Sequence, residues 1–113
     1  MAKLITAVIQ PERFETVRRA LADHGINRMT LSEVAGFGRQ QGHKEVYRGA
    51  EYQVDLVNKA RLEILVTDEQ VEDAVNLLVV AARTGEIGDG KVWVTNVDDV
   101  VRVRTGERGE DAI

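Results

Sequence analysis

Cysteine is absent from this chain, proline occurs once, and aromatic residues make up only 4% of it. Without cysteine there is no disulfide framework and no thiolate metal site, and the composition fits a reducing compartment. So few aromatics leave little with which to stack nucleobases on a sheet. Fifteen Lys plus Arg against 19 Asp plus Glu give a formal net charge of −4, so no overall positive field draws the chain to nucleic acid or anionic lipid. No nucleic-acid partner is expected, and any anion site must be local. Long hydrophobic runs are missing too. No stretch of 18 apolar residues exists to span a bilayer, and the apolar run in MAKLITAVIQPERF is too short for a signal peptide, so a cytoplasmic location is expected. The two histidines, His24 and His43, lie far apart with no cluster of nitrogen or sulfur ligands near them, which argues against a metal site built on them.

What is present is the composition of one soluble globular domain over residues 1–113, with 43% hydrophobic and 30% charged residues. Periodicity orders it. Leu4 to Ile9 reads as a strand, stopped by Pro11, which also suits the first turn of a helix. From Glu12, Phe14, Val17, Ala20 and Leu21 fall at helical spacing, and the helix is expected to end at His24-Gly25. Met29 to Phe37 is the second expected strand. A long polar stretch follows, GRQQGHKEVYRGAEYQVDL from Gly38 to Leu56. Val57 to Val66 alternates, with Leu62, Ile64 and Val66 on one face and Arg61, Glu63 and Leu65 on the other. Thr67 and Gln70 have capping-box spacing, and Val71, Ala74, Val75, Leu78, Val79 and Ala82 make an amphipathic stripe up to Gly85. Lys91 to Val97 is a further strand, in which Trp93 reads as core or interface packing. Asp98-Asp99 reads as a turn, and Val101 to Arg104 alternates again before a polar tail.

The order β-α-β, polar excursion, β-α-β predicts an α+β fold, the ferredoxin-like βαββαβ (split βαβ) sandwich, with the long loop between the second and third strands. Helices then cover one face of the sheet. The other face needs a cover, for which another copy of the chain is the simplest source, so a homo-oligomer is expected.

Three clusters carry chemistry. In TGEIGDGKVWV, residues 84–94, glycines flank Asp89 and Lys91 follows, so backbone N–H groups and an ammonium can face a phosphate. A tight helix-to-strand turn explains the same residues locally, and a Walker loop is excluded because Lys91 enters a strand. In VRVRTGER, Arg102 and Arg104 would project from one strand face, which suits polyphosphate or a charged, solvated edge strand. The polar stretch is either functional or a disordered surface loop.

Together these clusters resemble a known family. YRGAEY, residues 47–52, matches the modification-site signature of the PII nitrogen-regulatory signal-transduction proteins, and TGEIGDGKVWV matches their C-terminal signature. The likeness extends over essentially the whole chain, including GFGRQQGH and VRVRTGER. It implies a cytoplasmic homotrimer that binds ATP or ADP between subunits, reads 2-oxoglutarate, and acts through a T-loop, here residues 38–56, with 98–113 as the C-terminal segment. By this resemblance Gly36, Arg39, Gln40, Gly88, Asp89, Gly90 and Lys91 form one wall of the nucleotide cleft. Thr30, Glu63, Arg102 and Arg104 form the wall given by the neighbouring subunit. Gln40 would hold Mg²⁺, and Gln40, Gln41, Gly42 and Lys59 would take 2-oxoglutarate, with Lys59 on its distal carboxylate. Tyr52 resembles the tyrosine modified by a nucleotidyltransferase, Tyr47 its unmodified companion, and Arg48 the loop-tip arginine that enters an ammonium channel, which implies reversible membrane association. Nitrogen-assimilation enzymes or regulators are the other implied targets.

The chain departs from the family pattern in places. Gln41 stands where lysine is common, Asn58 where proline often precedes the lysine equivalent to Lys59, and Ala50 where some members carry a phosphorylated serine. The implied role is regulatory, not enzymatic. The alternative is a nucleotide-binding regulator of the same fold with a non-nitrogen target or weak ATPase activity, for which Asp89 would be the candidate base.

Overall fold

The computed structural model describes residues 1–37, 44–47, 50–53 and 56–113. Its elements are β1 (Ala2–Ile9), a 3-10 turn (Pro11–Arg13), α1 (Phe14–Ala22), β2 (Thr30–Gly36), β3 (Lys44–Tyr47), β4 (Ala50–Gln53), β5 (Val57–Thr67), α2 (Asp68–Ala82), β6 (Gly90–Asn96) and a closing 3-10 turn (Gly109–Ala112). β2, β5, β1 and β6 lie side by side in that order as an antiparallel sheet, and β3 and β4 pair separately. The expected α+β, split-βαβ arrangement is the one observed.

Alternation decides which side chains enter the core. Ile5, Ala7 and Ile9 of β1 and Ala60, Leu62, Ile64 and Val66 of β5 are buried, and they form one cluster with Val17 and Leu21 of α1 and Ala74 and Leu78 of α2. Both helices therefore cover the same side of the sheet. The expected glycine stop of α1 is present as a paired C-terminal motif: Gly25, at φ +80°, donates to the Ala22 carbonyl at 2.9 Å, and Ile26 donates to Leu21 at 2.9 Å. The capping box of α2 is also formed, with the Thr67 N–H donating to Gln70 Oε1 at 3.0 Å. At the other end of α2, the Arg13 guanidinium donates to the Ala81 carbonyl from Nε at 3.0 Å and from Nη2 at 2.6 Å. It satisfies a terminal carbonyl and places a positive charge at the negative end of the helix.

Two expectations are corrected, for the first helix and for Val101 to Arg104, and the polar stretch gains a detail. The first helix begins at Phe14, because Pro11–Arg13 forms a 3-10 turn, and it ends before His24. The polar stretch contains a hairpin, in which Glu45 pairs with Tyr52 and Tyr47 with Ala50. Val101 to Arg104 is not a strand. Val101 makes a single bridge to Arg108, the Arg102 N–H donates to Glu107 at 2.9 Å, and Gly106 donates back to the Arg102 carbonyl at 2.7 Å. Positive φ at Gly106 and Gly109 lets the chain turn there, so Arg102 and Arg104 do not share a strand face.

One close approach fixes the start of β6. Gly90 has φ +100°, and a Cβ on it would stand 1.7 Å from the Val8 carbonyl oxygen. We expect Gly90→Ala to destabilise the fold by at least about 2 kcal/mol in urea denaturation. Gly36→Ala, where a Cβ meets nothing within 4 Å, should change stability far less, and equal effects at the two glycines would refute the contact.

Candidate functional site

The same alternation that buries one side of the sheet sends Lys59, Arg61 and Glu63 of β5 to the opposite side. Register sets them beside their neighbours: Glu63 lies between Thr30 of β2 and Thr6 of β1, and Thr6 in turn lies beside Trp93 of β6. One strand end of this open face leads into the segment between α2 and β6.

That segment is closed from within. The Asp89 carboxylate accepts from the Thr84 N–H at 2.8 Å, from the Gly85 N–H at 2.9 Å and from the Thr84 hydroxyl, while Thr84 Oγ1 also accepts from the Glu86 N–H at 3.2 Å. Gly85, Gly88 and Gly90 supply the positive φ values, +89°, +102° and +100°, that the tight path requires. Lys59 donates from β5 to the Gly88 carbonyl. These donors hold the Asp89 carboxyl below its ordinary value, the Thr84 hydroxyl and amide first and the Gly85 amide and the Lys59 charge after them.

Between this segment and the sheet lies a hollow of about 460 Å³. Gly36, Lys59, Gly88, Gly90 and Lys91 line it, so the structure brings five of the sequence-predicted site residues together. The rest of the lining is Val8, Phe37, Val57, Ile87 and Trp93. Two ammonium groups, glycine backbone and an apolar flank suit an anion that carries a flat, apolar part. The apolar lining was missed in the sequence, although Phe37 follows Gly36 and Ile87 precedes Gly88.

Thr30 and Glu63 belong to a second hollow, of about 400 Å³, shared with Leu4, Arg28, Met29, Leu65, Ala112 and Ile113. Arg102 reaches its edge, donating from Nη2 to the Ile113 carbonyl at 3.1 Å and from Nη1 to Glu107 at 3.0 Å. Arg104 is exposed and lines neither hollow. Asp89 lines neither as well, since its oxygens face Thr84 and Gly85. Arg39, Gln40, Gln41, Gly42 and Arg48 lie outside the described residues, and Tyr52 is placed only by its backbone pairing with Glu45.

The family model for nitrogen regulatory protein P-II matches residues 2–107. The nitrogen regulatory protein P-II of Pasteurella multocida is 54% identical over 111 residues, covering 98% of this chain and 99% of that protein. That of Haemophilus influenzae is 51% identical with the same coverage. Among solved structures, Arabidopsis thaliana PII bound to citrate superposes with a TM-score of 0.80 at 41% identity, covering 98% of this chain and 88% of that one.

The Asp89 contacts have a definite pH signature. A carboxyl whose folded pKa is depressed stabilises the fold above its unfolded value, and that contribution is lost as pH falls through the folded value. The Thr84 and Gly85 amide shifts in NMR should therefore stay constant from neutral pH down to about 4 and move only below the ordinary value of 3.8. A carboxyl midpoint for Asp89 at or above that value would contradict the arrangement, and Asp89→Asn should abolish the transition.

Proposed function

The chain belongs to the nitrogen regulatory protein P-II family, and we propose that it is a homotrimeric sensor of ATP or ADP and of 2-oxoglutarate that controls nitrogen-assimilation targets through residues 38–56. The observation that carries this reading is the hollow in which Lys59 and Lys91 meet the Gly88–Gly90 turn beside an apolar flank. Lys91 and the backbone N–H groups of the turn take the phosphates, and Phe37, Ile87 and Trp93 shelter the rest of the nucleotide. Thr30 and Glu63 sit in a separate hollow of the same chain, as the reading requires if they act on a nucleotide held mainly by the neighbouring subunit. There Thr30 and Glu63 read the adenine amino edge, while Arg102 and Arg104 pair with phosphates. Arg102 would exchange its bonds to Glu107 and Ile113 for that task. The open sheet face, with Leu65 and Trp93 38% and 43% exposed, gives the trimer an apolar surface to cover.

Lys59 pairs with the distal carboxylate of 2-oxoglutarate, while Gln40, Gln41 and Gly42 hold its other end. That a PII protein holds citrate supports a carboxylate ligand of this size. The described wall of the hollow offers two ammonium groups and no carboxylate, so by itself it does not fit a Mg²⁺ ion; any ion there would depend on the ligands' own oxygens and on the Gln40 amide. Asp89 supplies no base for ATP hydrolysis, because its carboxylate is engaged by Thr84 and Gly85, which favours a regulator over an ATPase. The protein acts in the cytoplasm and associates reversibly with the membrane through an ammonium channel, into whose pores the three Arg48 side chains of the trimer insert. A nucleotidyltransferase acting on Tyr52 would add bulk and negative charge that block this insertion.

Three measurements test the reading. In calorimetry, 2-oxoglutarate should bind at least about tenfold more tightly with Mg²⁺ and ATP than with ADP or with no nucleotide, and equal affinity in all three would end the sensor assignment. In co-sedimentation with channel-containing membranes, Arg48→Ala should lose most of its binding while its ATP affinity stays unchanged, and a variant as well bound as the parent would remove the channel role. Mass spectrometry of protein from nitrogen-starved cells should place any nucleotidyl adduct on Tyr52 and lose it in Tyr52→Phe. An adduct on Tyr47 would contradict the assignment.

A further inference from the structure

The two arginines of VRVRTGER stand in opposite states. Arg104 is exposed and makes no hydrogen bond or ion pair among the described residues. Arg102 is held twice: Nη1 donates to the Glu107 carboxylate at 3.0 Å and Nη2 to the Ile113 carbonyl at 3.1 Å, and only 26% of its side chain is exposed. The turn that carries Arg102 and Glu107 closes without that carboxylate. The Arg102 N–H donates to the Glu107 carbonyl at 2.9 Å, the Gly106 N–H to the Arg102 carbonyl at 2.7 Å, and the Glu107 N–H to the Thr105 hydroxyl at 3.2 Å. Backbone groups thus set Glu107 beside Arg102 whatever its side chain carries. What the side-chain pair decides is where the guanidinium fork points and which anion it holds.

We propose that Glu107 is an internal competitor of the nucleotide: its carboxylate occupies the Arg102 guanidinium in the place of a phosphate and so sets how tightly the protein binds ATP. This deepens, and rests on, the reading of Arg102 as a phosphate contact. Two anions drawn to one guanidinium repel each other at the short range its fork imposes, so a phosphate that takes Arg102 displaces Glu107. The observed affinity is then reduced by the fraction of time that Arg102 is free, as for any site whose binding-competent state is only partly populated. Arg104 carries no such competitor, so it meets the ligand first and Arg102 follows by exchange. The exchange also reaches the second hollow, because the Arg102 bond to Ile113 ties down a residue that lines it together with Thr30 and Glu63. Glu107 touches no ligand and is a positioning residue that acts through Arg102.

The test is a set of calorimetric ATP titrations at low salt, where charge contacts are least screened and weaker variants stay measurable. Glu107→Gln, which keeps the size and removes the charge, should bind ATP about threefold more tightly than the parent. The same gain should appear in an Arg104→Met background and vanish in an Arg102→Met background, a pattern that a general loss of negative charge near a polyanion does not produce. If Glu107→Gln fails to fold, Glu107→Asp, whose carboxylate stops one methylene short of the guanidinium, should also bind more tightly than the parent. Unchanged or weaker binding in the Glu107 variant would overturn the proposal, since a residue that merely aligned Arg102 would cost affinity when removed. An equal gain with and without Arg102 would overturn it too. A parent that bound no ATP would remove the nucleotide reading itself, and the proposal with it, whereas failure in the variants alone leaves that reading standing.

Discussion

Period-two burial of β5 is the constraint on which the rest of the molecule depends. Ala60, Leu62, Ile64 and Val66 face the helices, so Lys59, Arg61, Glu63 and Leu65 must face away from them. A slip of one residue against β1 or β2 would drive an ammonium and a carboxylate into a core that offers no partners, at a cost of several kcal/mol for each buried charge. The register is therefore held by the same hydrophobic set that makes the core, and two polar residues of the candidate site are placed by it. Position along the strand separates them: Lys59 opposes Val34 near one end of the ladder, and Glu63 opposes Thr30 at the other. One chain thus carries two unlike hollows on a single open face, and in the assembly proposed above unlike hollows would meet across two chains.

The segment from Thr84 to Gly90 shows a second kind of economy, in which a charged residue is engaged by its own segment and glycine backbone is left along the hollow. Asp89 looks from its sequence position like a site residue facing an anion. A carboxylate there would repel phosphate, yet the structure turns it inward, where Thr84 and Gly85 saturate it. What remains toward the hollow is glycine backbone and the cations Lys59 and Lys91. The sign of the local field is thereby opposite to that of the chain as a whole, whose net charge is −4.

The main sheet and both helices were legible because each signal is local. Alternation marks β5, Gly25 ends α1, and the Thr67/Gln70 pair opens α2 within one turn of sequence. VRVR failed because alternation alone does not make a strand, which also needs a partner to pair with. Here the chain folds back on itself through Gly106, and Val103 is left 99% exposed. The apolar side of the hollow was equally hidden, since Phe37 and Val57 read only as strand ends and Ile87 only as part of a glycine-rich turn, and only the fold shows that they face a ligand-sized space. The contact of Lys59 with Gly88 joins β5 to a segment beyond α2, and no local pattern encodes it. Glycine and lysine positions, by contrast, were legible as a motif, because tight turns restrict residue type whatever surrounds them.

The polar stretch from Gly38 to Leu56 gains its meaning from where it leaves the sheet. Gly36 and Val57 pair at the last rung of the β2–β5 ladder, and Phe37 and Val57, which flank the departing ends of the stretch, both line the hollow. Lys59 lies two residues beyond Val57 on the same strand and lines it too. Anything bound in the hollow therefore touches the residues from which both ends of the stretch depart, and it does so beside the turn that follows α2. A pair of strands joined by a short hairpin would give a ligand no such purchase, because the connection would close over itself within the ladder. Separating the strand ends by a long polar insertion costs little in closure entropy, roughly 0.6 kcal/mol for each doubling of length. In return, whatever occupies the hollow touches the residues at both ends of the insertion, a physical means by which binding can bias that segment.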